Sequence, residues 1–125
     1  MLFDTDVLIW CFRGNTKASA ALLRAERPVI SAVTMMELIQ GARDKRELGL
    51  IGSFLADTGI ATLPLSENIG HRATVYLEQH ALKDGMAMAD ALIAATAREY
   101  GLALCTANVK HFRVVAELEL VVFKP

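Results

Sequence analysis

The chain has 125 residues, enough for one domain that buries roughly two-thirds of its unfolded surface. Hydrophobic residues make up 54% of it and charged residues 22%, which excludes a disordered chain. The formal net charge of −1 excludes a protein that coats nucleic acid through a broad basic surface, but not an enzyme that grips a few phosphates locally.

The apolar stretches are short and interrupted, so no membrane span is expected. No basic region precedes the first apolar run, so a signal peptide is not expected either. Cys11 and Cys105 each sit among apolar neighbours. Buried free thiols in a reducing cytoplasm are the simplest reading, because neither has nearby Cys or His partners for a metal.

In chain order, residues 1–3 read as a very short strand and residues 6–12 as a helix broken by Gly14 and Asn15. Thr16 is a candidate cap for a helix over 17–25. Residues 28–31 form a second strand, with Pro28 at its start. A helix over about 32–42 follows, then a charged connection over 43–47 and a helix over 48–56. Residues 60–63 are a third strand. Ser66 with Glu67 starts a helix that runs to about Leu82, and residues 83–85 turn. Residues 86–100 are the most persistent helical pattern, alanine-rich and stopped by Gly101. Residues 102–105 are a fourth strand, 108–112 a short helical turn and 118–122 a fifth strand.

Strands alternating with helices imply a parallel sheet with helices on both faces. Ligands in such folds gather beyond the carboxyl ends of the strands, where the strand order reverses. Asp4 lies just beyond strand one, and Thr106 and Asn108 lie just beyond strand four.

Most acidic residues sit in polar company, but three do not. Asp4 lies in an apolar opening run together with Asp6, where a buried carboxylate costs several kcal/mol, roughly, unless paired, hydrogen-bonded or bound to a cation. Its ordinary explanation is a helix cap formed by Asp4 or Thr5. Glu37 sits mid-helix with Thr34 and Gly41 at i−3 and i+4. A glycine there costs roughly 1 kcal/mol relative to alanine but removes bulk beside the carboxylate. Its ordinary explanation is an exposed glutamate. Asp90 stands on a face of Ala87, Ile93, Ala94 and Ala97, and its ordinary explanation is a cap for a helix starting at Ala91.

Together the three become informative, because one rim of the sheet can gather them. Two carboxylates about 4 Å apart repel by about 4 kcal/mol at an effective dielectric of about 20. Either a proton is retained or a cation sits between them. With oxygen ligands alone the suitable cations are Mg²⁺ or Mn²⁺, which fits metal-assisted phosphodiester hydrolysis.

Four segments carry a family resemblance: residues 2–9 around Asp4, 31–41 around Glu37, 89–97 around Asp90, and Cys105-Thr106-Ala107-Asn108 through Phe112. The chain resembles PIN-domain ribonuclease toxins of the VapC type over almost its whole length. That resemblance implies a single PIN domain spanning 1–125, three layers (α/β/α) around a five-stranded parallel sheet of order 3-2-1-4-5. It implies a cytoplasmic, Mg²⁺- or Mn²⁺-dependent endoribonuclease acting on RNA, a homodimer, and neutralisation by a cognate antitoxin. Asp4, Glu37 and Asp90 correspond to the acids that hold metal, and Thr106 to a hydroxyl that helps order the first acid.

Asn108 stands where the fourth motif often has another acid, so it joins the catalytic candidates without bringing charge. Asp6 stands where Asn or Ser is common, and with Thr34 it is a candidate for a supporting role. Lys110, Arg113, Arg13 and Arg43 are candidates for RNA contact. His111 could contact RNA or carry a proton, but a helix-packing or solvent-facing side chain is its commoner explanation. An aspartyl-phosphate hydrolase or a signalling receiver domain would each need a lysine and acids at later strand ends that the chain lacks. The remaining alternatives are a PIN-like domain that binds RNA or a partner without cleaving, and a housekeeping nuclease.

Overall fold

The computed structural model describes residues 1–125. Its elements are β1 (Leu2–Phe3), α1 (Thr5–Phe12), α2 (Thr16–Arg24), β2 (Val29–Ser31), α3 (Ala32–Gln40), α4 (Lys45–Thr58) and β3 (Ala61–Leu63), followed by α5 (Glu67–Asp84), α6 (Met88–Glu99), β4 (Leu104–Thr106), α7 (Val109–Phe112) and β5 (Leu120–Val122). The strands lie in the order β3-β2-β1-β4-β5, and every neighbouring pair is parallel. This is the sheet that the family resemblance implies.

Side-chain alternation along the strands divides the core into two layers. Leu2 and Leu104 pack with Ile69 and Ala73 of α5 and Ala91 and Ala95 of α6. Their strand neighbours Phe3 and Cys105, with Ile30, pack on the other face against Val7, Leu22 and Ile51 of α1, α2 and α4. α3 contributes to both layers, through Val33 and Leu38. The buried face of α6 is mostly alanine, with Ala91, Ala94, Ala95 and Ala97 wholly inaccessible. Small side chains let this helix lie close to its neighbours, which brings the residues of its first turn near the sheet.

Several element ends differ from the expectations, each for a local reason. Asn15, rather than Thr16, caps α2, its side-chain oxygen accepting from the Ala18 N–H at 2.9 Å. The charged segment 43–47 is not a connection throughout: Asp44 accepts from the Glu47 N–H at 2.8 Å and starts α4 at Lys45. Gly85 adopts φ 69° and ends α5, so α6 begins at Met88 rather than at Met86. Gly41 lies just beyond α3 as its C-cap, not inside it, and a Cβ there would meet the Glu37 carbonyl at 3.2 Å. The glycine therefore accommodates a close backbone approach at the helix end.

The chain builds β1, β2 and β3 outward, then returns to the other side of β1 for β4 and β5. The order reverses between β1 and β4, so a crevice opens beyond their carboxyl ends. No helix is long and apolar enough to cross a membrane.

Phe3 is half of a two-residue strand and is completely buried. Phe3→Ala is expected to lower stability by about 3–5 kcal/mol in urea titration. Leu82→Ala, at a fully exposed position, is expected to stay within about 0.5 kcal/mol of the parent.

Candidate active site

Asp4 follows β1 and is fixed from several sides. Its backbone N–H donates to the Cys105 carbonyl at 2.9 Å, which extends the β1–β4 ladder by one step. Its Oδ1 accepts from the Thr5 N–H at 2.8 Å, and its Oδ2 accepts from the Thr106 hydroxyl at 2.7 Å. Asp4 is thus the N-cap of α1, as its ordinary explanation requires. The Thr106 bond makes it more than a cap, because it ties the carboxyl to the end of β4. Thr106 in turn accepts from the Asn108 N–H at 2.9 Å.

Asp6 is not a cap. Its Oδ2 accepts from the Ala107 N–H at 3.0 Å, which binds the first turn of α1 to the loop after β4. Its Oδ1 is buried and has no hydrogen-bond partner. A buried acceptor left in this state is costly and points to a ligand that completes it.

Glu37 projects from α3 and is half-buried. Its Oε1 lies 2.7 Å from the Thr5 hydroxyl, which lies 2.9 Å from the hydroxyl of Thr34. Thr34 had a place among the sequence candidates; Thr5 did not. Asp90 lies in the first turn of α6, where a negative charge suits the helix dipole. It is not a cap, since the N-cap is Ala87. Asp90 Oδ2 lies 3.3 Å from Nδ1 of His111.

These carboxyls feel one another. Burial, then the Asp6 charge and, more weakly, Asp90, push the Asp4 carboxyl up to about 7, against opposing hydrogen bonds from Thr106 and Thr5. Burial also raises Asp6. Asp90 is raised by burial and by the charges of Glu37 and Asp6, while His111 pulls it back. Cys105 beneath them is pushed up to about 11 by burial and by Asp6 and Asp4. The structure therefore gathers Asp4, Asp6, Glu37 and Asp90 around the crevice between β1 and β4.

The other candidates are placed differently. Asn108 is exposed, and what it engages is its backbone N–H, not its side chain. Lys110 and Arg113 are exposed on and after α7. Arg13 stands over the Trp10 ring at 5.8 Å. Arg43 is bound by Glu47, with Nη2 at 2.9 Å and Nε at 3.0 Å from Oε2. Arg13, Arg43 and Glu37 line a cavity of about 620 Å³ whose other walls include Ile9, Phe12 and Leu50.

A PIN-domain profile matches residues 1–118. The chain belongs to the PIN-domain family. This PIN domain is 35% identical to a protein named ribonuclease VapC10 from Mycobacterium tuberculosis, over 95% of this chain and 90% of that one. It is 30% identical to a chain of a toxin-antitoxin complex from Klebsiella pneumoniae, with a TM-score of 0.80 over 97% of this chain and 95% of that chain. DNA-bound VapBC from Salmonella typhimurium shares the fold at a TM-score of 0.83 and 22% identity, over 97% of this chain and 96% of that one. The resemblance to VapC ribonucleases read from the four motifs is the one these relatives show.

PIN domains of this type imply a divalent metal, and the residues of the crevice fit one. The donors are all oxygens, one buried acceptor lacks a partner, and the clustered acids hold protons more tightly than isolated ones. No three His, Cys, Asp or Glu side chains close into a ligand cage by themselves.

The raised Asp4 carboxyl gives a pH dependence whose sign is fixed. Its proton is held more tightly in the folded chain than at the ordinary value of 3.8. The stabilisation is present while the group is protonated and is lost as pH rises through the folded value, between about 4 and 7. Metal-free protein in chelator is expected to melt at a lower temperature at about pH 8 than at about pH 6. Asp4→Asn should flatten that fall. An unchanged or higher melting temperature at the alkaline end would contradict it.

Proposed function

We propose that this PIN domain is a Mg²⁺- or Mn²⁺-dependent endoribonuclease and the toxic member of a type II toxin–antitoxin pair. In this reading it works as a cytoplasmic homodimer and is silenced by a cognate antitoxin. The observation that carries it is the gathering of four carboxyls, with one buried oxygen unpartnered, at the switch point of the sheet. Identity to a named ribonuclease supports RNA as the substrate. Likeness to a chain of a toxin-antitoxin complex at 30% identity supports the partner. Exposed Met36 and Ile39, three residues apart on α3, offer an apolar strip for a protein contact.

Asp4, Glu37 and Asp90 are the residues that would hold the cation. When bound, it supplies Lewis-acid polarisation of the phosphate and lowers the pKa of a water. The protein's own contribution is placement. Thr106 and Thr5 fix both oxygens of Asp4 in direction while each retains a lone pair. Glu37 is anchored through Oε1, which leaves Oε2 as the oxygen that would hold the cation, and an attacking water passes its proton to bulk water. That water's oxygen bonds to phosphorus, one P–O bond breaks, and the leaving oxygen gains a proton from solvent. Asn108, at the rim, has its side chain free to hydrogen-bond a phosphate oxygen. Lys110 and Arg113 beside it are the better cations for the RNA backbone, since Arg43 is engaged by Glu47.

Incubation of purified protein with structured RNAs and Mn²⁺ tests the activity. Asp4→Asn, Glu37→Gln and Asp90→Asn are each expected to slow cleavage by about 100-fold or more with the fold intact. Wild-type cleavage by Asp90→Asn, or activity surviving excess chelator, would refute the reading. Growth arrest on expression, relieved by a small protein encoded next door, is expected of a toxin and not of a housekeeping nuclease.

A further inference from the structure

Five helical threonines of this chain use their hydroxyls in two ways. Thr58, Thr74 and Thr96 each donate to the carbonyl four residues earlier in their own helix, at 2.7, 2.9 and 2.8 Å. Such bonds are local and common. Thr5 and Thr34 instead face each other across α1 and α3, at 2.9 Å, and both are buried.

The direction of these hydrogen bonds follows from counting hydrogens. A hydroxyl carries one hydrogen, which it can give to one acceptor at a time. Thr5 Oγ1, 2.7 Å from Glu37 Oε1, therefore gives its hydrogen to the carboxylate. Thr34 Oγ1, 2.9 Å away, is the other acceptor within reach of that one hydrogen. The backbone N–H of Thr5 meanwhile donates to Asp4 Oδ1 at 2.8 Å. One residue thus donates to two acids that come from different elements and are separated by 33 positions in sequence (37 − 4).

We propose that Thr5 is a positioning residue that sets the spacing of Asp4 and Glu37, with its backbone N–H on one acid and its hydroxyl on the other. The proposal rests on the reading of Asp4 and Glu37 as metal-holding acids. Glutamate has several rotatable bonds and is half-exposed here, so an unanchored carboxylate would sample many positions. Anchoring Oε1 limits where Oε2 can lie. The partner of a metal-binding group is commonly worth about 10- to 100-fold in affinity or rate. Thr5 touches neither cation nor RNA in this arrangement. It acts through the two carboxyls.

The test compares wild type with Thr5→Val and Thr5→Ser. Valine keeps the shape and the backbone N–H but removes the hydroxyl; serine keeps the hydroxyl. Thr5→Val is expected to weaken Mn²⁺ binding in calorimetry by about 10- to 100-fold and to lower kcat for RNA cleavage by a similar factor. KM for RNA should stay within about twofold of wild type, since no RNA contact is lost. Thr5→Ser should restore both properties. In the metal-free wild type, NMR should show a slowly exchanging Thr5 hydroxyl proton.

Wild-type Mn²⁺ affinity and kcat in Thr5→Val would overturn the role of Thr5 alone. So would a Thr5→Ser variant as impaired as Thr5→Val, or a Thr5 hydroxyl in rapid exchange with solvent. A wild type that neither binds Mn²⁺ nor cuts RNA would instead remove the nuclease reading, and this proposal with it.

Discussion

The pairing of β1 with β4 carries the rest of the site. β1 has only two residues, yet Leu2 and Asp4 donate backbone hydrogen bonds on either side of Phe3, to Ala103 and Cys105. Those bonds fix the position of Asp4, and the alternation of Leu2 and Phe3 fixes which way the chain faces when it leaves the sheet. A slip of one residue would exchange the two faces and carry Asp4 away from Thr106. From Asp4 the site extends through three further bonds: Thr106 from β4, Thr5 toward α3, and Ala107 to Asp6.

This construction concentrates negative charge where the chain is least able to hydrate it. Burial raises Asp4, Asp6 and Asp90, repulsion adds to it at Asp4 and Asp90, and the neighbouring His111 opposes it at Asp90. Hydrogen bonds from Thr106, Thr5 and Ala107 offset part of the cost, and Asp6 Oδ1 remains without a donor. A divalent cation answers that deficit directly. Active sites commonly sacrifice stability in this manner for function. The alanine face of α6 and the two apolar layers of the core supply the surrounding rigidity.

Much of this was legible in the sequence because it is periodic or compositional. Strands and helices alternate clearly, and Asp4, Glu37 and Asp90 are conspicuous as acids in apolar runs. What was not legible depends on contacts between distant positions. Thr5 carried no signal, because its partners Thr34 and Glu37 lie 29 and 32 residues away. The bond from Ala107 to Asp6 spans 101 residues and involves a backbone N–H, which no side-chain pattern reveals. Arg43 is different. Its pairing with Glu47 has helical i,i+4 spacing, but the charged segment looked like a loop until Asp44 capped α4 there. Gly41 read as a gap inside the helix beside the Glu37 carboxylate, whereas it ends α3 and the nearest atom to a Cβ there is the Glu37 backbone carbonyl.

Anomalous diffraction from crystals grown with Mn²⁺ tests the central claim most directly, because it locates the ion without reference to catalysis. A manganese peak in the crevice beyond β1 and β4, coordinated by Asp4 together with Glu37 or Asp90, is the expected result. A crevice empty at saturating Mn²⁺, or an ion bound elsewhere with Asp4 still held only by Thr5 and Thr106, would contradict it.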